Sequence, residues 1–146
     1  MGLKRKWRDT ARAMSQENVE RGHRAIDALN RRDIDAFLAF LDPEVEFYSR
    51  IVELEGGGPY RGHAGIRSWW QSLFSISRDF HTEIEDVRGV GDMTVARVRQ
   101  RGHGAESTAP MDQMQWFVTQ WRNGRMVRVR VFVSEIEALE AAGLRE

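Results

Sequence analysis

Residues 93–133 constrain this chain more than any other segment. They hold three strand-like runs in succession, MTVARVRQR, DQMQWFVTQW and RMVRVRVFV, separated by a Gly-rich turn and by Asn123-Gly124, the dipeptide of a two-residue hairpin. A helical N-terminal half precedes them. Helices first and long strands last predict an α+β cone: a curved antiparallel sheet wrapped by three N-terminal and central helices, with a short C-terminal helix, rather than a nucleotide-binding α/β fold. A cone encloses a pocket, and a pocket is where function is to be sought.

The 146 residues suffice for one domain with one sizeable core. We expect that domain to span residues 15–146 and residues 1–14 to be a flexible basic leader. The first thirteen residues, MGLKRKWRDTARA, are basic without an apolar face, and Met14-Ser15-Gln16-Glu17 reads as a natural beginning. Lys+Arg and Asp+Glu both number 22, so no global field draws the chain to nucleic acid or an anionic membrane. It has no cysteine, hence no disulfide framework and no thiolate chemistry. His23, His63, His81 and His103 are isolated in sequence and lack ligand spacing, so neither a metal nor another cofactor is expected. No apolar run reaches the roughly 20 residues of a membrane span, and a cytoplasmic location is the expectation.

Helical spacing places the early elements. Val19, Ala25, Ile26 and Leu29 form one apolar face, and Ile34, Phe37, Leu38 and Leu41 a second, with Asp33 as cap and Pro43 as stop. Ile66, Trp69, Trp70, Leu73 and Phe74 fall at i, i+3, i+4, i+7 and i+8 of a third helix. Between the second and third helices, Val45 and Phe47 alternate with Glu46 and Tyr48 as a half-buried strand. The run SRIVELEGGGPYRGH after it reads as a loop or lid. Ser134-Glu135-Ile136-Glu137 is a capping box for a last short helix ended by Gly143.

The strand faces predict partners. Ala96, Val98 and Gln100 oppose Arg97, Arg99 and Arg101, and Val127, Val129, Val131 and Val133 oppose Arg128 and Arg130, so one sheet face is cationic and suited to pairing with Glu83 and Glu85 across strands. In residues 113–121 one parity is Gln113, Gln115, Phe117, Thr119 and Trp121, and the other Met114, Trp116, Val118 and Gln120. Neither suits water, which predicts a homodimer packed through Met114, Trp116 and Val118.

Four segments carry a family resemblance: NVERGHRAIDALNRRDIDAFLAFLDPEVEF, PYRGHAGIRSWW, RVRQRGHG and WRNGRMVRVRVFVSEIEALEAAGL. Over about residues 15–145 the chain resembles the SnoaL-like branch of the nuclear transport factor 2-like superfamily, which includes polyketide cyclases and ketosteroid isomerases. The resemblance implies a cone whose pocket is lined by Tyr48, Ser49, Tyr60, His63, Trp70, Gln115, Phe117, Thr119 and Trp121. The isomerase's oxyanion-hole and proton-shuttle positions fall near Ala25, Phe117 and Ser49 here, residue types that supply neither an oxyanion donor pair nor a general base. His63, Glu53 and Glu55 are the remaining acid–base candidates. Two functions follow. One is a pocket protein that binds an apolar or aromatic metabolite, and isomerises, cyclises or hydrates it by cofactor-free acid/base chemistry. The alternative is a non-catalytic dimeric binding or interaction module whose cone is filled by its own side chains.

Overall fold

The structure, a computed structural model, describes residues 2–49 and 57–144, with side chains for 15–49 and 57–144. The elements run α1 (Gly2–Asn30), α2 (Ile34–Leu38), β1 (Leu41–Tyr48), β2 (Tyr60–Arg61), α3 (Gly62–Ile76), β3 (His81–Val90), β4 (Met93–His103), β5 (Pro110–Arg122), β6 (Arg125–Phe132) and α4 (Glu135–Ala141). The helix-first, strand-last α+β order is as the periodicities predict. Residues 2–14, expected as a frayed leader, are backbone of α1, which runs without a break from Gly2. The second helix stops three residues before Leu41, because Phe40 already donates 3₁₀-fashion to the Phe37 carbonyl and Leu41 pairs with Met126.

One six-stranded sheet has the order β2-β1-β6-β5-β4-β3. It is not wholly antiparallel: β1 runs parallel to β6. About eighty residues separate those two strands in sequence, so no hairpin imposes an antiparallel return. The β5–β6 hairpin turns at Asn123 and Gly124, both at positive φ (54° and 75°), as a type I′ turn requires.

Three register irregularities interrupt the sheet of the cone, one of them between Leu41 and Glu46 in the β1–β6 pair. The β3–β4 register slips between Ile84 and Asp86, and the β5–β6 register slips between Gln120 and Trp121. A bulge increases local twist and re-aims side chains. Thus Ile84 and Val87 face the same interior, three residues apart rather than two. In β6 the inward residues are Met126, Val129 and Val131. The expected valine alternation fails at Val127, which is only half-buried, and at Val133, which lies beyond the strand and is exposed.

On the outer face the β4 arginines are paired with acids, whereas Arg128 lies over the Tyr48 ring and Arg130 donates to the Ala141 carbonyl. Glu85 lies 3.6 Å from Arg97 and 3.7 Å from Arg99, while Asp112 lies 2.9 Å from Arg99 and 3.9 Å from Arg101. Glu83 instead approaches His81. Such half-exposed pairs contribute little stability each, but they offset the charge of Arg97, Arg99 and Arg101. The part of the outer face around Val95 and Val118 is covered by α4, which starts with the Ser134 hydroxyl accepting from the Glu137 amide. Its C-terminus closes with Leu144 N–H on the Leu139 carbonyl and Gly143 N–H on that of Glu140, a Schellman arrangement. Ala138 and Ala142 of this helical end pack with Val95 and Val118 in a second small core.

The main core lies between the sheet, α1 and α3. The end of α1 is fastened to the start of β3 by two side chains. Asn30 Nδ2 donates to the Thr82 carbonyl at 2.8 Å while its Oδ1 accepts from the Thr82 amide at 3.0 Å, so the side chain imitates a strand partner. Arg32 donates to the carbonyls of Leu29, Asn30, Arg78 and Phe80, and its guanidinium stacks 4.0 Å over Phe74. Arg32 does so from a left-handed conformation (φ 63°) at the position after the helix where glycine is usual. A third tie holds the other end of β3's neighbour: Asp79 accepts from the His103 amide at 2.7 Å and lies 2.6 Å from His103 Nδ1. Those His103 contacts hold the Asp79 carboxyl down at about 2.

Arg32 therefore trades backbone strain for a charged cap. Arg32→Ala, which keeps the strain and loses the cap, should cost about 2 kcal/mol in denaturant unfolding. Arg32→Gly loses the same bonds but relieves the left-handed residue, and should cost about 1 kcal/mol less than the alanine variant. Equal stability of the two variants would show that the left-handed backbone is not maintained at the expense of stability.

Candidate functional site

The cone interior is an enclosed cavity of about 70 Å³, measured as the space open to the centre of a water molecule. Its walls come from every layer: Gly22, Ile26 and Leu29 of α1, Phe37 of α2, Phe47 of β1, Ile66 and Trp69 of α3, Ile84 and Val87 of β3, Ala96 and Val98 of β4, Phe117 and Trp121 of β5, and Met126 and Val129 of β6. Four polar side chains interrupt this apolar lining: Asn18, Thr94, Gln100 and Thr119. All four are buried. Among the described residues, no ionisable side chain lines the cavity.

Alternation and helical spacing explain why these residues converge. Thr94, Ala96, Val98 and Gln100 are the inward parity of β4, and Phe117, Thr119 and Trp121 that of β5; Thr94 and Thr119 are partners across the ladder. Asn18, Gly22, Ile26 and Leu29 lie four, four and three residues apart on one face of α1. A Cβ on Gly22 would lie 3.9 Å from the Trp121 ring.

Hydrogen bonding fixes the character of the polar groups. Trp121 Nε1 donates to Thr94 Oγ1 at 2.9 Å, in a buried contact. Indole has only a donor, so the Thr94 oxygen is occupied as acceptor and its own O–H remains to donate. Arg21 donates to Asn18 Oδ1 at 3.0 Å, which leaves the Asn18 amide nitrogen as the free group. Gln113 Nε2 donates to Gln100 Oε1 at 3.2 Å, with the same consequence for Gln100. The cavity thus offers neutral hydrogen-bonding groups in an apolar surround.

Of the side chains that the sequence suggests for the pocket, the structure brings Phe117, Thr119 and Trp121 to the cavity wall. The others lie elsewhere. Tyr48 is on the opposite parity of β1, bonded to Glu46 and beneath the Arg128 guanidinium. Ser49 is buried just past the end of β1. Tyr60 packs on Phe47 from the short β2 strand. His63 donates from Nε2 to the Leu41 carbonyl at 2.9 Å, where it ties α3 to the start of β1. Trp70 packs on Phe37 and Phe74, and Trp69 takes the inward place. Gln115 is buried opposite Val98 in the ladder, off the cavity wall. Glu53 and Glu55 lie outside the described residues. Ala25, at an isomerase position, is fully buried in α1.

Asn18, Thr94 and Gln100 join the site without having been singled out. The legible signal was a polar residue in the inward parity of a strand, at Thr94 and Gln100, and an Asn four residues before a Gly on the apolar face of a helix. Val118 leaves the expected dimer contact, because α4 covers it within the same chain.

The sequence profile of the SnoaL-like domain matches residues 23–129. Among curated proteins none matches the chain. Among solved structures, an NTF2-like protein of unknown function from Burkholderia pseudomallei K96243 is 19% identical, with a TM-score of 0.72 over 85% of this chain and 95% of that one. TerC, co-crystallised with polyporic acid, is likewise 19% identical, with a TM-score of 0.72 over 85% and 96%. A protein with a ketosteroid isomerase-like fold from Catenulispora acidiphila DSM 44928, in complex with trimethylamine, is 15% identical, with a TM-score of 0.70 over 86% and 94%. At these identities the likeness is one of fold.

The Thr94–Trp121 bond generates a direct test. Thr94→Val is nearly isosteric but strands a buried indole N–H, so it should lower unfolding stability by about 1–3 kcal/mol. Thr94→Ser, which keeps the acceptor, should recover most of that loss in the same denaturant titration.

Proposed function

The chain belongs to the family of SnoaL-like domains, and from that premise and the chemistry of its cavity we propose that it binds a small, neutral, largely apolar molecule inside the cone. One observation carries the reading: an apolar cavity whose only polar side chains among the described residues are uncharged. Apolar burial supplies most of the attraction, at roughly 25 cal/mol per Å² before association costs. The polar groups orient the ligand. Binding rather than turnover is what the described residues equip the site for, since the one described acid–base candidate, His63, is engaged with the Leu41 carbonyl. The TerC complex is consistent with this reading, as a related fold that accommodates an organic ligand.

Trp69 and Trp121 line the cavity, so their fluorescence reports occupancy. Titration with a panel of neutral apolar ketones and aromatics should give saturable quenching. Thr119→Val should then weaken the best ligand about fivefold, the worth of one hydrogen bond near 1 kcal/mol. Arg97→Gln and Arg128→Gln, on the outer face, should leave it within about twofold. Larger losses from the arginine changes would move the site to the outer surface, and absence of saturable quenching would favour a cone filled by its own side chains.

The chain is further proposed to pair with a second copy through the outer face of β5. Met114 and Trp116 are the half-buried apolar residues that support this, next to the patch that α4 covers. Trp116→Glu should convert a dimer into monomer in sedimentation at micromolar concentration; a monomeric parent protein would rule the pairing out.

A further inference from the structure

Apart from proline, glycine is the least favourable residue in a helix interior, because it gives up the most backbone freedom on folding. Relative to alanine it lowers the folded-to-unfolded ratio about fivefold. Gly22 stands inside α1, clear of both ends of the helix.

Two structural needs ordinarily explain a glycine: a left-handed backbone, or a neighbour too close for a Cβ. Both occur elsewhere in this chain. Gly62, Gly91, Gly124 and Gly143 have positive φ. A Cβ on Gly89 would come within 2.7 Å of the Ser15 Cβ, and one on Gly65 of α3 within 3.1 Å of the Tyr60 backbone. Gly22 has neither need. It keeps the right-handed backbone of α1. Among the described residues, a Cβ there would meet only Trp121 Cζ2 within 4 Å, at 3.9 Å, an ordinary van der Waals contact. The fold would accept alanine at this position and gain stability from it.

The space that the missing Cβ leaves belongs to the cavity. Asn18 and Ile26, one helical turn to either side of Gly22, line the void with it, and so does Trp121. The Trp121 ring is held by its bond to Thr94 Oγ1 and is buried, so it does not swing aside to make room. A methyl at residue 22 would point at this ring and take space from a cavity of about 70 Å³.

We propose that Gly22 is a specificity-determining residue: its bare backbone forms a notch between Asn18 and Ile26, opposite Trp121, that receives part of the bound molecule. This rests on the cavity being the binding site, as inferred above, and assigns the residue that sets how large a molecule it admits. A ligand that reaches the notch packs against the indole and the backbone of α1. One small enough for the rest of the void does not need it.

Gly22→Ala separates a glycine kept for the ligand from one kept for the fold. The variant should melt about 2–4 °C above the parent. In calorimetric titrations it should bind acetophenone about tenfold or more weakly than the parent does, and the smaller cyclopentanone within about threefold. A melting temperature equal to or below the parent's would show that the glycine serves the fold, and would overturn the assignment. A more stable variant that binds acetophenone as the parent does, or loses both ketones alike, would also overturn it while leaving the cavity as a binding site. Binding of neither ketone by the parent would overturn the cavity reading itself, and this assignment with it.

Discussion

The interior of this protein depends on how the end of α1 is held. Asn30 and Arg32 place four side-chain hydrogen bonds between the helix terminus and residues 78–82, and Arg32 adds two to the carbonyls of Leu29 and Asn30. Four of the groups they satisfy are backbone carbonyls or amides of the turn into β3, which would otherwise need other partners at the edge of the core. With that end pinned and Ser15, midway along the helix, bonded to the Gly91 carbonyl, α1 lies along β3 and β4 at a fixed height. Without that lid the cone would be an open trough.

The sheet beneath is shaped by three register irregularities as well as by twist. Bulges opposite Arg97 and next to Trp121 let residues three apart share a face. They bring Ile84 with Val87, and Met126 with Val129, into one lining. The first also leaves Glu85 on the outer face, within reach of both Arg97 and Arg99. Curvature inside and charge balance outside thus share a cause.

Polar groups inside the cone have their orientations set from behind. Trp121 and Arg21 act only as donors, so each occupies one lone pair of Thr94 Oγ1 or Asn18 Oδ1 and leaves the Thr94 hydroxyl proton and the Asn18 amide nitrogen outside that bond. In a cavity without ionisable walls among the described residues, this arrangement selects by hydrogen-bond polarity and shape rather than by charge. Fold-level kinship does not decide it, because relatives at these identities share the scaffold and not the lining.

Much of this was legible in the residues. Period-two alternation in 93–133, the aromatic stripe of 66–74, Asp33 and Ser134 as caps and the Asn123-Gly124 turn are local signals, set by backbone sterics and side-chain spacing, and they determined the elements, the α+β order and the inward parity of Phe117, Thr119 and Trp121. Tertiary structure alone decided which polar residues meet. Pocket positions carried over from the resemblance went astray at Tyr48, Tyr60, His63 and Trp70, because a one-residue change of parity or a rotation of α3 sends a side chain to another face. Asn18 is 76 residues from Thr94 in sequence, and the bulges that bring Ile84 and Met126 inward leave no periodic trace. The cover over Val118 came from a helix too short to announce its docking. Such contacts depend on where the chain returns in space, which spacing along a single strand or helix does not encode.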